Sequence, residues 1–270
     1  GRCVTIAPFL GFNVLGFQET SMGNFADFHA RSINDRDAFW AEQAKLVDWK
    51  VQPQQICDYS NPPFAKWFVG GETNLCHNAV DRHLADRADQ PALIFVSTET
   101  DQEKTYTFRD LHAEVQRMAA ILQDLGVVKG DRVLIYMPMI AEAAFAMLAC
   151  VRLGAIHSVV FGGFASHSLA TRIEDASPKV IISAAAGSRG GKAVSYKPLL
   201  DEAIQLSAHK PANVVMVDRQ LVAFTPVAGR DVDYATERAK HIHTVVPCER
   251  VESTHSSYTL YTSGTTGKPK

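Results

Sequence analysis

"TYTFRDLHAEVQRMAAILQDLGVVKGDRVLIYMP", residues 105–138, changes its hydrophobic period once, and that change decides the fold. In its first half Leu111, Val115, Met118, Ala119, Leu122 and Leu125 recur three or four positions apart, which gives a helix one apolar face. Thr107 stands where an N-cap hydroxyl is needed, and Gly126 where the chain must leave the helix. In the second half "DRVLIYM" is a continuous apolar run halted by Pro138, which reads as a buried strand. A strand that needs cover on both faces, next to a helix of crossover length, is the repeating unit of a parallel sheet.

The same alternation continues downstream. A helix over 140–153 precedes the strand "IHSVVF", a helix over 166–176 precedes "KVIIS", and a helix near 199–206 precedes "NVVMV". The expected fold is therefore α/β, a doubly wound, mostly parallel sheet with helices on both faces. Ligands of such a sheet bind at the carboxyl ends of its strands. Upstream, "PALIFV" is a further short strand, a helix is expected over 75–88, and Pro62-Pro63 and Gly70-Gly71 mark loop and turn. The charge-rich "DRHLADRAD" reads as a solvated helical face. Residues 24–49 place Phe28, Phe39, Trp40 and Trp49 among charges, a helical and aromatic extension that must lie against a larger body to bury its rings. Residues 1–21 differ in texture, lack an initiator methionine and a signal-peptide cleavage site, and read as foreign to the fold, with the native start at Met22.

Composition narrows the classes of function. With 27 basic and 29 acidic residues the net charge is -2, so no overall field favours nucleic acid or a membrane surface. Five scattered cysteines without a C-x-x-C pair point to reduced thiols and a cytoplasmic protein. His241 and His243 lack partners at zinc spacing, so no metal site is assigned. The apolar run from Ala143 to Val151 is too short to span a bilayer.

Three stretches carry chemistry. "YTSGTTGKPK", residues 261–270, follows a short strand expected over Tyr258–Tyr261. Hydroxyls from Thr262, Ser263, Thr265 and Thr266, close backbone approach at Gly264 and Gly267, and the charge of Lys268 suit a polyphosphate. The glycine spacing is not that of a P-loop, and Pro269 stands where that motif needs a hydroxyl for magnesium. "FGGF" places Phe161, Gly162 and Gly163 at the end of a strand, and "SRGGK" sets Arg189 and Lys192 around Gly190 and Gly191. Taken alone, the first reads as a tight strand-to-helix turn and the second as a solvated basic loop.

"YTSGTTGKPK" resembles the signature phosphate loop of the adenylate-forming superfamily, whose members activate carboxylic acids with ATP. "FWAEQAKLVDW", "WFVGGETNLCHNAVDRHL", "VFGGFASHSLATRIEDASPKVIIS" and "GSRGGKAVSYKPLLDEA" are similar to its acetyl- and propionyl-CoA synthetase branch. The text "AGSRGGK" and the Thr265-Thr266 pair lean towards the propionate side of that branch. The resemblance implies a truncated adenylate-forming fold, with an N-terminal extension over 22–85 and the first part of the AMP-binding domain over 86–270. It also implies ATP, coenzyme A and Mg2+ as cofactors and a small carboxylate as substrate. Thr262, Ser263, Gly264, Thr265, Thr266, Gly267 and Lys268 would hold the ATP phosphates; Phe161, Gly162, Gly163, Arg189, Gly190, Gly191 and Lys192 would bind coenzyme A. The catalytic lysine and its lid are expected beyond Lys270, so this stretch alone is expected to be inactive. A reading of another class, a nucleotide- or coenzyme-A-binding module without catalysis, stays open on the residues alone.

Overall fold

The computed structural model describes residues 25–262. The chain divides into two compact units, residues 1–46 and 47–270. In the first, α1 (Phe25–Asn34) and α2 (Arg36–Gln43) are joined at Asp35, and Phe39 receives the ring of Phe28 edge-on at 4.8 Å between centroids.

The second unit begins with small antiparallel pieces. β1 (Gln55–Asn61) and β2 (Phe64–Val69) form a hairpin, and β3 (Glu72–Thr73) leads into α3 (Leu75–Ala79). Pro62-Pro63 is thus the turn of a hairpin rather than part of a longer loop, because prolines at the tip leave both flanking segments free to pair. The expected helix over 75–88 closes after one turn: Val80 leaves the helical region at φ -130° and the chain continues as 3-10 and turn. β4 (Pro91–Ser97), the strand expected from "PALIFV", pairs antiparallel with β5 (Gln102–Thr107) alone and stays outside the main sheet. Its exposed Ile94 and Val96 alternate with more buried neighbours, the pattern of a strand covered on one face.

From Thr107 onward the alternation reads out as expected. α4 (Phe108–Asp124) starts in a capping box in which the Thr107 hydroxyl accepts from the Asp110 amide and the Asp110 carboxylate accepts from the Thr107 amide. Leu111, Val115, Met118, Ala119 and Leu122 are buried, and Gly126 turns the chain at φ 79°. β6 (Arg132–Met137), α5 (Ala141–Arg152), β7 (Ile156–Phe161), α6 (Ser166–Ala176) and β8 (Val180–Ala184) follow. The short hairpin β9 (Ala186–Arg189) and β10 (Lys192–Ser195) then leads to α7 (Lys197–Leu206), β11 (Asn213–Val217), β12 (Asp231–Asp233) and α8 (Tyr234–Lys240).

The main sheet runs β12-β11-β8-β6-β7, and every pairing in it is parallel. β6, β8 and β11 hold the core, with Val133, Leu134, Ile135, Ile181, Ile182, Val214 and Val215 fully buried. α4, α5 and α8 pack together as one layer and α6 with α7 as the other. From β6 the chain steps outward to β7, then crosses back over β6 to β8 and continues the other way. The direction of winding therefore reverses at the carboxyl ends of β6 and β8.

Two further expectations fail locally. Residues 258–261 do not form a strand: Tyr258 makes one isolated parallel bridge to His157, backed by two backbone hydrogen bonds. The "DRHLADRAD" face is not wholly solvated, because the Asp81 carboxylate takes a bidentate pair of hydrogen bonds from Arg152 at 2.8 and 2.9 Å. With side-chain exposures of 18% and 3%, the pair bonds α5 to the segment after α3 from inside.

Candidate functional site

A 410 Å3 cavity opens where the winding reverses. Pro138, Met139 and Ile140 from the end of β6 line it together with Phe161, Gly162 and Gly163 from the end of β7. Ser188 and Arg189 come from β9, and Val96 to Glu99 from the end of β4. "FGGF" and the start of "SRGGK", 25 or more positions apart in the chain, are thereby brought to one cleft.

The glycines have a reason visible in the packing. A Cβ on Gly162 would lie 2.5 Å from the Tyr196 ring, and one on Gly187 would lie 2.2 Å from the Tyr196 hydroxyl. Tyr196 fits between these two backbones because neither carries a side chain. Its ring lies 5.2 Å from that of Tyr136, whose hydroxyl donates to the Phe164 carbonyl at 3.1 Å. Burial, with the neighbouring Tyr196, pushes the Tyr136 phenol up to about 12, so Tyr136 stays neutral as a wall and donor. Arg219, paired with Glu99 at 3.6 Å, closes the cleft near the end of β4. The sequence reading missed Tyr136, Tyr196, Arg219 and Glu99; the glycine at 162 hinted at a close approach without saying by what.

"SRGGK" is not a flexible loop. Gly190 and Gly191, at φ 58° and 74°, are the two-residue turn of the β9–β10 hairpin, and Arg189 pairs with Lys192 across it. The ladder holds both cations close to each other on one exposed tip, and among the described residues no carboxylate pairs with either. Arg189 reaches the cavity; Gly190, Gly191 and Lys192 do not line it.

Of the phosphate loop only Thr262 falls among the described residues; Ser263, Gly264, Thr265, Thr266, Gly267 and Lys268 lie outside them. Its approach is nevertheless anchored. The Arg172 guanidinium of α6 lies 4.5 Å from the ring centre of Phe164, the last residue of "FGGF", and 5.4 Å from that of Tyr261. The Tyr261 hydroxyl donates to Asp175 at 2.5 Å. Because the Tyr258 bridge is parallel to β7, the chain there heads towards the same carboxyl ends at which the cleft opens. Arg172 and Asp175 had no signal in the sequence beyond a helix period.

A second cavity, of 560 Å3, is lined by Asp48, Lys50, His77, Asp81, Arg152 and Cys248 among others. Burial alone would raise the Asp81 pKa, but hydrogen bonds from His112 and Arg152 outweigh it and hold the carboxyl well below the usual range.

The doubly wound α/β sheet has its cleft at the winding reversal, lined by Gly162, Gly163 and Arg189, and that is where sheets of this class hold their ligands. The chain belongs to the AMP-binding enzyme family, whose model matches residues 80–270, while the model for the acetyl-coenzyme A synthetase N-terminus matches residues 25–79. A propionate–CoA ligase of Escherichia coli (strain K12) is 58% identical over 247 residues, which cover 92% of this chain and 39% of that protein. An acetyl-coenzyme A synthetase of Methylobacterium radiotolerans is 47% identical over 250 residues, 91% of this chain and 38% of its own length. Among solved structures, an acetoacetyl-CoA synthetase from Streptomyces lividans superposes with a TM-score of 0.82 at 29% identity, over 92% of this chain and 38% of that one. The chain therefore spans about two fifths of the length of these relatives. No helix among the described residues is long and apolar enough to cross a membrane.

Proposed function

We propose that the protein to which this chain belongs is a short-chain acyl-CoA synthetase that forms propionyl-CoA, AMP and pyrophosphate from propionate, ATP and coenzyme A. The observation that carries the choice of acid is the 58% identity to a propionate–CoA ligase against 47% to an acetyl-coenzyme A synthetase. A carboxylate oxygen attacks the α-phosphorus of ATP, pyrophosphate leaves, and the thiol of coenzyme A then displaces AMP from the mixed anhydride.

In this reading Thr262, Ser263, Gly264, Thr265, Thr266, Gly267 and Lys268 hold the β- and γ-phosphates and stabilise charge as it develops on the departing pyrophosphate. What supports it is the anchoring of Tyr261 beside "FGGF" through Arg172. Phe161, Gly162, Gly163, Arg189, Gly190, Gly191 and Lys192 bind the 3′-phosphoadenosine part of coenzyme A. The cleft suits that group: Arg189 supplies charge for phosphate, and Ile140, Val194 and Leu199 supply apolar wall for a base. Mg2+ accompanies the ATP phosphates and neutralises their charge; none of the residues described around the cleft is assigned to it. The protein works in the cytoplasm, on small molecules.

The test is carboxylate-dependent exchange of pyrophosphate into ATP by the whole protein, with acetate, propionate and butyrate compared. The expected result is fastest exchange with propionate. Preference for acetate would refute the choice of acid alone, and no exchange with any short acid would refute the synthetase reading in favour of a non-catalytic binding module.

A further inference from the structure

Outside the cleft, the least expected cluster is a pair of thiols beside a guanidinium. Cys76 on α3 is fully buried, and Cys248, partly buried, lines the 560 Å3 cavity. The two Sγ atoms and an Asp81 carboxylate oxygen lie within 4.8 Å of one another. Arg152 Nη1 donates to Cys76 Sγ at 3.4 Å and to Asp81 at 2.9 Å. Asn74 clamps the backbone at both thiols, its Oδ1 accepting from the Cys76 amide at 2.8 Å and its Nδ2 donating to the Glu249 carbonyl at 2.6 Å, while Arg152 Nε donates to the Val246 carbonyl at 2.5 Å on the other side of Cys248. The two sulfurs thus meet in a fixed frame, 172 positions apart in sequence.

The chemistry of the pair is asymmetric. Cys248 beside it and the Arg152 guanidinium hold the Cys76 thiol below its ordinary value, against burial and the charge of Asp81. Cys248 is pushed up in turn by the neighbouring Cys76 and by burial. The Arg152 guanidinium at 3.4 Å favours the thiolate form of Cys76, and the thiolate is the form that reacts with peroxide. A divalent cation placed on these atoms would press against the guanidinium that already bonds two of them, which disfavours a metal.

We propose that Cys76 and Cys248 are an oxidisable dithiol whose substrate is a small hydroperoxide that reaches the pair from the 560 Å3 cavity at Cys248, behind which Cys76 lies buried. The Cys76 thiolate attacks one peroxide oxygen, the O–O bond breaks, and the other oxygen leaves as hydroxide, which takes up a proton to become water. The Cys76 sulfenic acid is then displaced by Cys248 sulfur, giving the disulfide and a second water; two thiols are oxidised and one peroxide is reduced. The bond ties the segment that precedes Thr262 to α3. Cys150, whose thiol is pushed up by burial alone, takes no part.

The full chain is treated with hydrogen peroxide, residual thiols are alkylated, and the unreduced peptides are mapped by mass spectrometry. A Cys76–Cys248 cross-link two hydrogens lighter than the dithiol, reversed by dithiothreitol, with Cys57 and Cys150 still alkylated after unfolding, is expected. In C248S, where no disulfide can form, dimedone should capture Cys76 as sulfenic acid; circular dichroism melting shows whether that variant is folded. No cross-link in the parent together with no dimedone adduct on C248S would overturn the proposal. So would equal cross-linking among all cysteine pairs. Protection of both thiols from alkylation by added zinc without any peroxide cross-link would overturn it in favour of a metal pair.

Discussion

Asp81 shows how far one side chain can depart from its sequence neighbourhood. Surrounded by charges, it reads as solvated, yet Arg152 on a helix some seventy positions away takes it inside. Replacing Asp81 by Asn leaves a buried guanidinium without its counter-charge, and such losses cost about 3–5 kcal/mol. Urea denaturation of D81N against the parent checks this. The sign with pH follows from the depressed carboxyl: its contribution is complete above the unfolded carboxylate value of about 4 and is lost as pH falls below it. The stability gap between parent and D81N should therefore close on acidification. Gly162 is the converse case, a residue defined by what it lacks. G162A pushes a methyl into the Tyr196 ring, and overpacking of that kind costs about 1–3 kcal/mol. A lowered thermal midpoint with altered near-ultraviolet dichroism from Tyr196 would report it. Arg189 and Lys192 make a different prediction, in function alone. The double variant R189E/K192E of the whole protein should raise the KM for coenzyme A by about tenfold or more, as each charged hydrogen bond lost is worth about 1.5–3 kcal/mol. ATP–pyrophosphate exchange, which needs no coenzyme A, should be unchanged.

α4 and β6 were legible because their information is local. The capping box at Thr107, the apolar spacing from Leu111 to Leu122 and the exit at Gly126 all lie within twenty residues, and each has a single physical meaning. T107A should cost about 1 kcal/mol through the lost cap, read as a lower urea midpoint with unchanged slope. The hairpins were less legible. β1 and β2 were hidden behind a proline pair that signals a break whether the flanks pair or not, and β9 and β10 behind a glycine pair equally suited to a loop. Residues 258–261 carry two strand-forming tyrosines and a threonine, yet pair at one position only, since propensity says nothing of whether a neighbouring edge offers a matching register.

Taken whole, the molecule uses its sheet to gather motifs that the chain keeps apart. The winding reverses between β6 and β8, and there "FGGF", Arg189 and the end of β4 line one cleft, with Arg172 stacked between Phe164 and Tyr261. With about two fifths of the relatives' length, the 270-residue chain on its own should give no carboxylate-dependent exchange, whereas the proposed function requires it of the whole protein. A pyrophosphate exchange assay on both, run side by side, checks this.

Periodicity, caps and turn residues act over a few positions, so composition and order along the chain sufficed for the α/β class, the alternation of helices and main-sheet strands from Thr107 to Val217 and the resemblance carried by the glycine-rich motifs. The burial of Asp81 and Arg152, the wedge of Tyr196 between Gly162 and Gly187, and the meeting of Cys76 with Cys248 could be known only from the folded chain. Each depends on a partner 34 to 172 positions away, Gly162 for Tyr196 and Cys248 for Cys76 being the extremes, and no local preference encodes which distant side chain will arrive.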